Sequence, residues 1–221
     1  MYLKQMFRRI PNKKQIGWIK IVLFVICLAP IARLIWLGVS DELGANPVEF
    51  IERSTGFWAL LILLLTLCLT PVRLVWGVAW QLQFRRMLGL MMFFYASLHI
   101  AIYLWLDYGF DWPDIVRDII KHPYVLVGAS AYLLTVPLAL TSNQYMMKKL
   151  REHWKQLHYS IYLIAMLAVV HFLWLVKKDL REPLFYALIL ALLLGVRLFC
   201  KFHQIKTKSN KQRKAKLFIS V

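Results

Sequence analysis

The chain has 221 residues, of which 60% are hydrophobic and 18% charged, and it carries a formal net charge of +17. A soluble domain of this length does not combine so much apolar surface with six uncharged runs approaching 20 residues, so the sequence describes an integral membrane protein. Its three cysteines, Cys27, Cys68 and Cys200, form neither a C-x-x-C pair nor a C-x-x-C-H motif, which excludes a zinc ribbon and a covalently attached c-type haem.

In chain order, a basic segment, residues 1–15, leads into the first apolar run, Ile16–Gly38. The small residues of "LAPIA" give this run the look of a secretory signal. It is too long for one, and five more runs follow, so it is read as a membrane helix. The next stretch, "DELGANPVEFIERSTG", has turn chemistry at Gly44, Asn46 and Pro47, and Ser54/Thr55 read as the cap that opens the second helix. The remaining runs are Phe57–Trp76, Met87–Leu106, Tyr124–Thr141, Leu157–Val176 and Leu184–Cys200. Each spans a hydrocarbon layer about 30 Å thick at about 1.5 Å per residue. Between the third and fourth, "DYGFDWPDIVRDIIKHP" places Ile115, Val116, Ile119 and Ile120 on one side of a short helix lying on the membrane surface. Pro137 is expected to kink the fourth helix. The cysteines read as small buried hydrophobes.

With the N-terminus inside, segments 1–15, 77–86, 142–156 and 201–221 face the cytoplasm and hold eighteen of the 28 Lys and Arg residues, against six in the opposite loops. That is the positive-inside pattern. Lys20, Arg33, Arg73 and Arg197 sit near helix ends and read as snorkelling side chains. All the acids but Glu152 lie outside. The basic tail "KTKSNKQRKAK" directly follows a membrane helix, so it reads as unstructured and suited to anionic lipid rather than nucleic acid. The expected fold is therefore an all-α bundle of six transmembrane helices in one domain, residues 16–200. The two basic cytoplasmic segments flank it, and no linker or internal repeat is evident.

Ionisable residues deep in membrane helices are costly and mark function. His99 lies 13 residues beyond Arg86 on the third helix, and His171 lies 14 beyond Leu157 on the fifth. Both helices run outward, so the two imidazoles reach one depth, in the outer half of the membrane. That suits the two axial ligands of a haem. A structural hydrogen bond, another metal or a proton relay are the alternatives. His158 is 13 residues before His171, about 20 Å of rise and about 220° of rotation away. A second haem there lacks a facing histidine, because the third helix offers Arg85 and Arg86 at that level. Guanidinium groups suit haem propionates or a flavin phosphate; topology alone also explains them. His122, His153 and His203 sit at membrane boundaries and read as solvated or interfacial.

Several short stretches carry a resemblance: "GANPV" (44–48), "STG" (54–56), "LTPVR" (69–73), "RRMLGL" (85–90), "SLHIAIY" (97–103), "LALTSN" (138–143), "HWKQLHYSIYL" (153–163) and "HFLW" (171–174). In this order and spacing the chain resembles the ferric-reductase-like transmembrane domain family, over roughly residues 16–200. Within that family it is similar to the haem-binding membrane subunits that serve methionine sulfoxide reductases. The resemblance implies b-type haem, with His99 and His171 as ligands and His158 as the third family histidine, and it implies FMN. It implies a periplasmic molybdopterin reductase as acceptor and the quinone pool or a cytoplasmic flavin reductase as donor. Larger members carry a second histidine on the third helix and a fused flavin/nicotinamide domain. This sequence has Arg86 near that position and no Gly-rich nucleotide fingerprint, so it needs a donor partner. It reads as an electron-transfer subunit of the bacterial inner membrane that makes no bond to the final substrate. The rivals are a stand-alone transmembrane ferric or quinone reductase, a small histidine-dependent transporter, and a haem-free anchor.

Overall fold

The computed structural model describes residues 11–176 and 178–219, with side chains as far as His203. Nine α-helices are described: α1 (Lys13–Val39), α2 (Pro47–Trp76), α3 (Arg85–Ile102), α4 (Trp112–Lys121), α5 (Pro123–Leu140), α6 (Gln144–Leu150), α7 (Glu152–His158), α8 (Ile161–Leu175) and α9 (Arg181–Ile219). A 3-10 turn, Trp80–Phe84, leads into α3, and a π turn, Tyr103–Asp107, extends it. Six spans are long and apolar enough to cross a membrane: α1, α2, α3 with its two turns, α5, α7 with α8, and Arg181–His203 of α9. Each expected run falls in one of them to within a residue, and the protein is a multi-pass membrane protein.

Two boundaries differ from the sequence reading. The second helix opens at Pro47 rather than at Ser54/Thr55. Asn46 Oδ1 accepts from the Glu49 N–H at 3.4 Å, and proline is at home in the first turn, where its missing N–H costs nothing. Thr55 lies inside α2, where its hydroxyl donates back to the Ile51 and Glu52 carbonyls. The basic tail continues α9 as a helix to Ile219. No Gly or Pro follows Gly195 to stop it. Pro137 falls in the last turn of α5, which ends at Leu140 with the Thr141 N–H bonded to the Pro137 carbonyl.

The core is narrow. Leu60, Ile62, Leu63, Leu64 and Leu67 of α2 meet Leu88, Met91, Met92 and Tyr95 of α3, and α8 adds Ile161, Ile164, Ala165 and Val169. Two antiparallel pairs dominate, α2 with α3 and α5 with α8; α9 leans on both α2 and α8. Helix α1 is peripheral, with Trp18, Val25, Ile26 and Trp36 turned outward. Outward apolar side chains are what a lipid solvent selects. Inside, Tyr95 is fully buried and its hydroxyl donates to the Cys27 carbonyl at 2.6 Å, tying α1 to α3. The three cysteines are free thiols, with Cys27 buried.

The expected surface helix is α4. Ile115 packs inward at 3% exposure, whereas Val116 and Ile120 stay exposed. Asp111 caps it by accepting from the Asp114 N–H. Asp118 fastens it: the Tyr103 hydroxyl donates to Oδ2 at 2.9 Å, and His122 Nδ1 lies 2.8 Å from Oδ1. Burial alone would raise the Asp118 carboxyl, but hydrogen bonds from His122, Tyr103 and Tyr108 overcome it and hold Asp118 below its ordinary value. Burial, together with the same carboxylate, pushes the Tyr108 phenol up. A carboxyl held low in the folded state adds stability that is complete above its ordinary value and lost as pH falls through the folded one. Hydrogen exchange of residues 112–121, corrected for intrinsic rate, should therefore show protection at neutral pH that fades below the carboxylate range. In Asp118→Asn that protection should be about tenfold weaker at neutral pH, the scale of one charge-assisted hydrogen bond, and pH-independent. A wild-type profile flat from pH 7 to 3 would show that Asp118 does not fasten α4.

Candidate functional site

His99 on α3 and His171 on α8 face each other with ring centroids 6.3 Å apart and ring planes at 73°. Each is held in the same way. His99 Nδ1 lies 3.0 Å from the carbonyl oxygen of Glu52 on α2, and His171 Nδ1 lies 2.7 Å from that of Tyr124 on α5. A carbonyl oxygen only accepts, so each neutral imidazole carries its proton on Nδ1 and keeps a lone pair on Nε2. Such a second bond is the usual way a metal-binding histidine is oriented.

Glycine completes each cradle. Four residues beyond each of those carbonyls stands Gly56 or Gly128. A Cβ at Gly56 would lie 3.1 Å from the His99 ring, and one at Gly128 would lie 2.8 Å from the His171 ring. At Gly128 any side chain would force the ring or the helix to move; at Gly56 the fit is tight but closer to what a Cβ tolerates. The sequence separation between carbonyl and imidazole is 47 in both cases. The arrangement is thus a structural repeat of one helical pair by the other, which the sequence reading missed. Its signal was there as two glycines at equal distance before two histidines.

What this pair can hold follows from its donor set. Among the described residues no group of three His, Cys, Asp or Glu side chains is placed to bind a metal ion. A zinc or similar ion needs three or four protein ligands, whereas a haem brings its own four equatorial nitrogens and asks for two axial ones. The two Nε2 lone pairs fit that demand.

His158 stands apart, at the end of α7. Its ring stacks on Trp154 at 3.9 Å, its Nδ1 lies 3.0 Å from the Trp154 carbonyl oxygen, and its Nε2 is buried without a hydrogen-bond partner. The Leu138 backbone also lies near enough to interact with the ring, so this nitrogen lacks a well-formed bond rather than any polar neighbour. Arg85 lies within electrostatic reach of His158, and both Arg85 and Arg86 have exposed side chains outside the four ion pairs found among the described residues. The structure therefore brings His99 and His171 together and leaves His158, Arg85 and Arg86 at a separate level. The boundary histidines have ordinary surroundings. His122 pairs with Asp118, His153 is exposed beside Gln156, and His203 is exposed near the Phe199 ring.

Arg197 corrects the snorkelling expectation. Its side chain turns inward from α9, with Nη1 donating to the Tyr162 hydroxyl at 2.5 Å and Nη2 to the Leu67 carbonyl. The reason is Pro71: without an N–H it leaves the Leu67 carbonyl, four residues earlier, with no helical donor.

The family model described as ferric reductase like transmembrane component matches residues 55–169. Curated relatives cover most of the chain. A protein-methionine-sulfoxide reductase heme-binding subunit MsrQ of Xanthomonas euvesicatoria pv. vesicatoria is 50% identical over 198 residues, 87% of this chain and 91% of the relative. One of the same description from Xanthomonas campestris pv. campestris is 53% identical over 186 residues (81% and 85%), and one from Herminiimonas arsenicoxydans is 42% identical over 203 (90% and 93%). No solved structure matches the chain.

The glycines give a graded test. Gly128→Ala forces the His171 ring or α5 to move, whereas Gly56→Ala asks for a few tenths of an ångström. Overpacking of this kind costs about 1–3 kcal/mol. Haem per chain, read by absorbance after purification in detergent, should fall below wild type in both and further in Gly128→Ala. Wild-type haem content in Gly128→Ala would show that the close approach is not needed.

Proposed function

The chain belongs to the ferric reductase like transmembrane family, and within it to the MsrQ haem-binding subunits, and we propose that it is a b-type haem electron carrier of the bacterial inner membrane. Its donor is the quinone pool or a cytoplasmic flavin reductase. Its acceptor is a periplasmic molybdopterin methionine sulfoxide reductase of the MsrP kind, so that it supports repair of oxidised periplasmic proteins. The observation that carries this reading is the pair of imidazoles 6.3 Å apart, each with Nδ1 pinned to a carbonyl and Nε2 free.

Haem bound between His99 and His171 would supply a one-electron couple within the membrane. The protein's part is to hold the two rings at fixed tautomer and spacing and to keep them in apolar surroundings. His158, with its unpartnered Nε2, is the ligand offered to a second haem, and Arg85 and Arg86 are the cations offered to propionates or to the phosphate of FMN.

The ends of the bundle suit the two partners. Glu49, Glu52, Asp107, Asp111, Asp114 and Asp118 cluster where α2 begins and α3 ends, whereas Arg85, Arg86, Lys148, Lys149 and Arg151 lie at the other end. By the positive-inside rule the basic end and both termini are cytoplasmic. The donor then meets the basic end and the acceptor the acidic one. A stand-alone ferric or quinone reductase would use the same histidines with another acceptor.

Optical spectra of oxidised and dithionite-reduced protein test this directly. Wild type should show a sharp reduced α-band, and His99→Ala and His171→Ala should each lose most of it. His158→Ala should keep it if one haem is bound, and should lose about half of the haem if there are two. A protein that stays colourless after haem is supplied would sink the electron-carrier reading. Reduced wild type reoxidised by ferric citrate or a soluble quinone but not by the sulfoxide reductase would favour the stand-alone reductase.

A further inference from the structure

Arg197 is not accounted for by the two hydrogen bonds it makes. A guanidinium stays protonated at any physiological pH, and Arg197, half-buried with its Nε wholly so, gains from a counter-charge. The chain supplies none nearby. Of its acids, only Glu152 lies at this end of the bundle, and Glu152 is exposed and paired with Lys155. The charged side chain within its electrostatic reach is another cation, Arg85. The Tyr162 ring, 5.1 Å from the guanidinium carbon, softens the charge without neutralising it.

The hydrogen bonding is incomplete as well. Arg197 Nε is buried with no acceptor, and so is the indole N–H of Trp80, in the turn that precedes Arg85. Unpaired buried donors are rare in folded proteins, and each asks for an explanation. Here two buried donors without acceptors, a half-buried cation and a second, exposed cation lie at the same end of the bundle as the unpartnered Nε2 of His158. Donors and positive charge without acceptors are the complement of an oxyanion.

We infer that Arg197, with Arg85 within electrostatic reach, binds an oxyanion carried by a ligand lodged at the His158 level of the bundle. A carboxylate and a phosphate share the chemistry required, namely planar or tetrahedral oxygens that take charge-assisted hydrogen bonds. Two sources offer it: the propionate of a haem on His158, or the phosphate of a flavin or lipid headgroup. The first source rests on the haem reading above; the second does not. Arg197 is a positioning residue, because it meets the ligand's charged edge and not the iron.

The test separates charge from scaffolding. Arg197→Gln keeps an N–H for the Leu67 carbonyl but removes the charge; Arg197→Lys keeps the charge; Tyr162→Phe removes one structural bond and no charge. Haem per chain, haem midpoint potentials, and tightly bound phosphate and flavin are measured on each detergent-purified variant. If the oxyanion is a propionate, Arg197→Gln loses haem or has a lower potential for the haem it keeps, whereas Arg197→Lys and Tyr162→Phe stay near wild type. If it is a phosphate, the haem readings hold and Arg197→Gln loses bound phosphate relative to Arg197→Lys. Either result supports the site. Arg197→Gln matching wild type in every reading, or Arg197→Lys failing as badly as Arg197→Gln, overturns it. Should Arg197→Gln not fold, Arg85→Gln, at an exposed position, reads the same three quantities, and no change in them overturns the site. Wild type without haem would sink the carrier reading alone, since the phosphate comparison still stands.

Discussion

The bond from an imidazole N–H to a backbone carbonyl on the neighbouring helix is what the site depends on. Without it, a histidine in an apolar helix could rotate, swap tautomers or bond elsewhere. With it, His99 and His171 each present one lone pair in one direction. The bond in turn needs the helices close, and Gly56 and Gly128 stand where an added Cβ would lie 3.1 and 2.8 Å from a ring. It also needs the carbonyls to be at the right height, which the starts of α2 and α5 set. Prolines 47 and 123 open those two helices, and from there regular helical rise carries Glu52 and Tyr124 to the level of the rings.

Electrostatics divides the molecule along its length. The acids and their tyrosine partners gather around α4 and the π turn, and the cations gather at the opposite end. The narrow core between them is almost wholly apolar and supplies little water or polar screening, so charge placement at each end is felt through the bundle. A half-buried arginine at one level and a pair of neutral imidazoles at another are therefore different electrical environments built from one set of helices.

The six membrane helices and the paired histidines were legible in the sequence because hydropathy runs and intramembrane ionisable residues are strong, local signals. What was not legible came from contacts between helices. Ser54/Thr55 offers cap chemistry as good as Asn46, and only the fold shows that the chain is already helical at Pro47. Arg197 reads as a snorkelling side chain until Pro71, on another helix, is seen to leave a carbonyl free for it. The glycines escaped for the same reason. A small residue in an apolar run says nothing by itself, and Gly56 and Gly128 acquire meaning only from the ring packed against each. The resemblance to ferric reductases singles out His99, His171 and His158 as expected haem ligands without any of this geometry.

The repeated cradle has a consequence for how the protein is put together. One imidazole belongs to the α2–α3 pair and the other to α5–α8, and each pair holds its own ring without help from the other. During synthesis the first pair emerges and enters the bilayer well before the second. Two-stage assembly, in which helices insert and then associate, leaves the first ring waiting with an open face. A ligand gripped by both rings fastens two separately made halves into one body and adds to their cohesion by mass action. That cohesion adds to what α9, leaning on both α2 and α8, already provides, so loss of the ligand should loosen the bundle rather than part it.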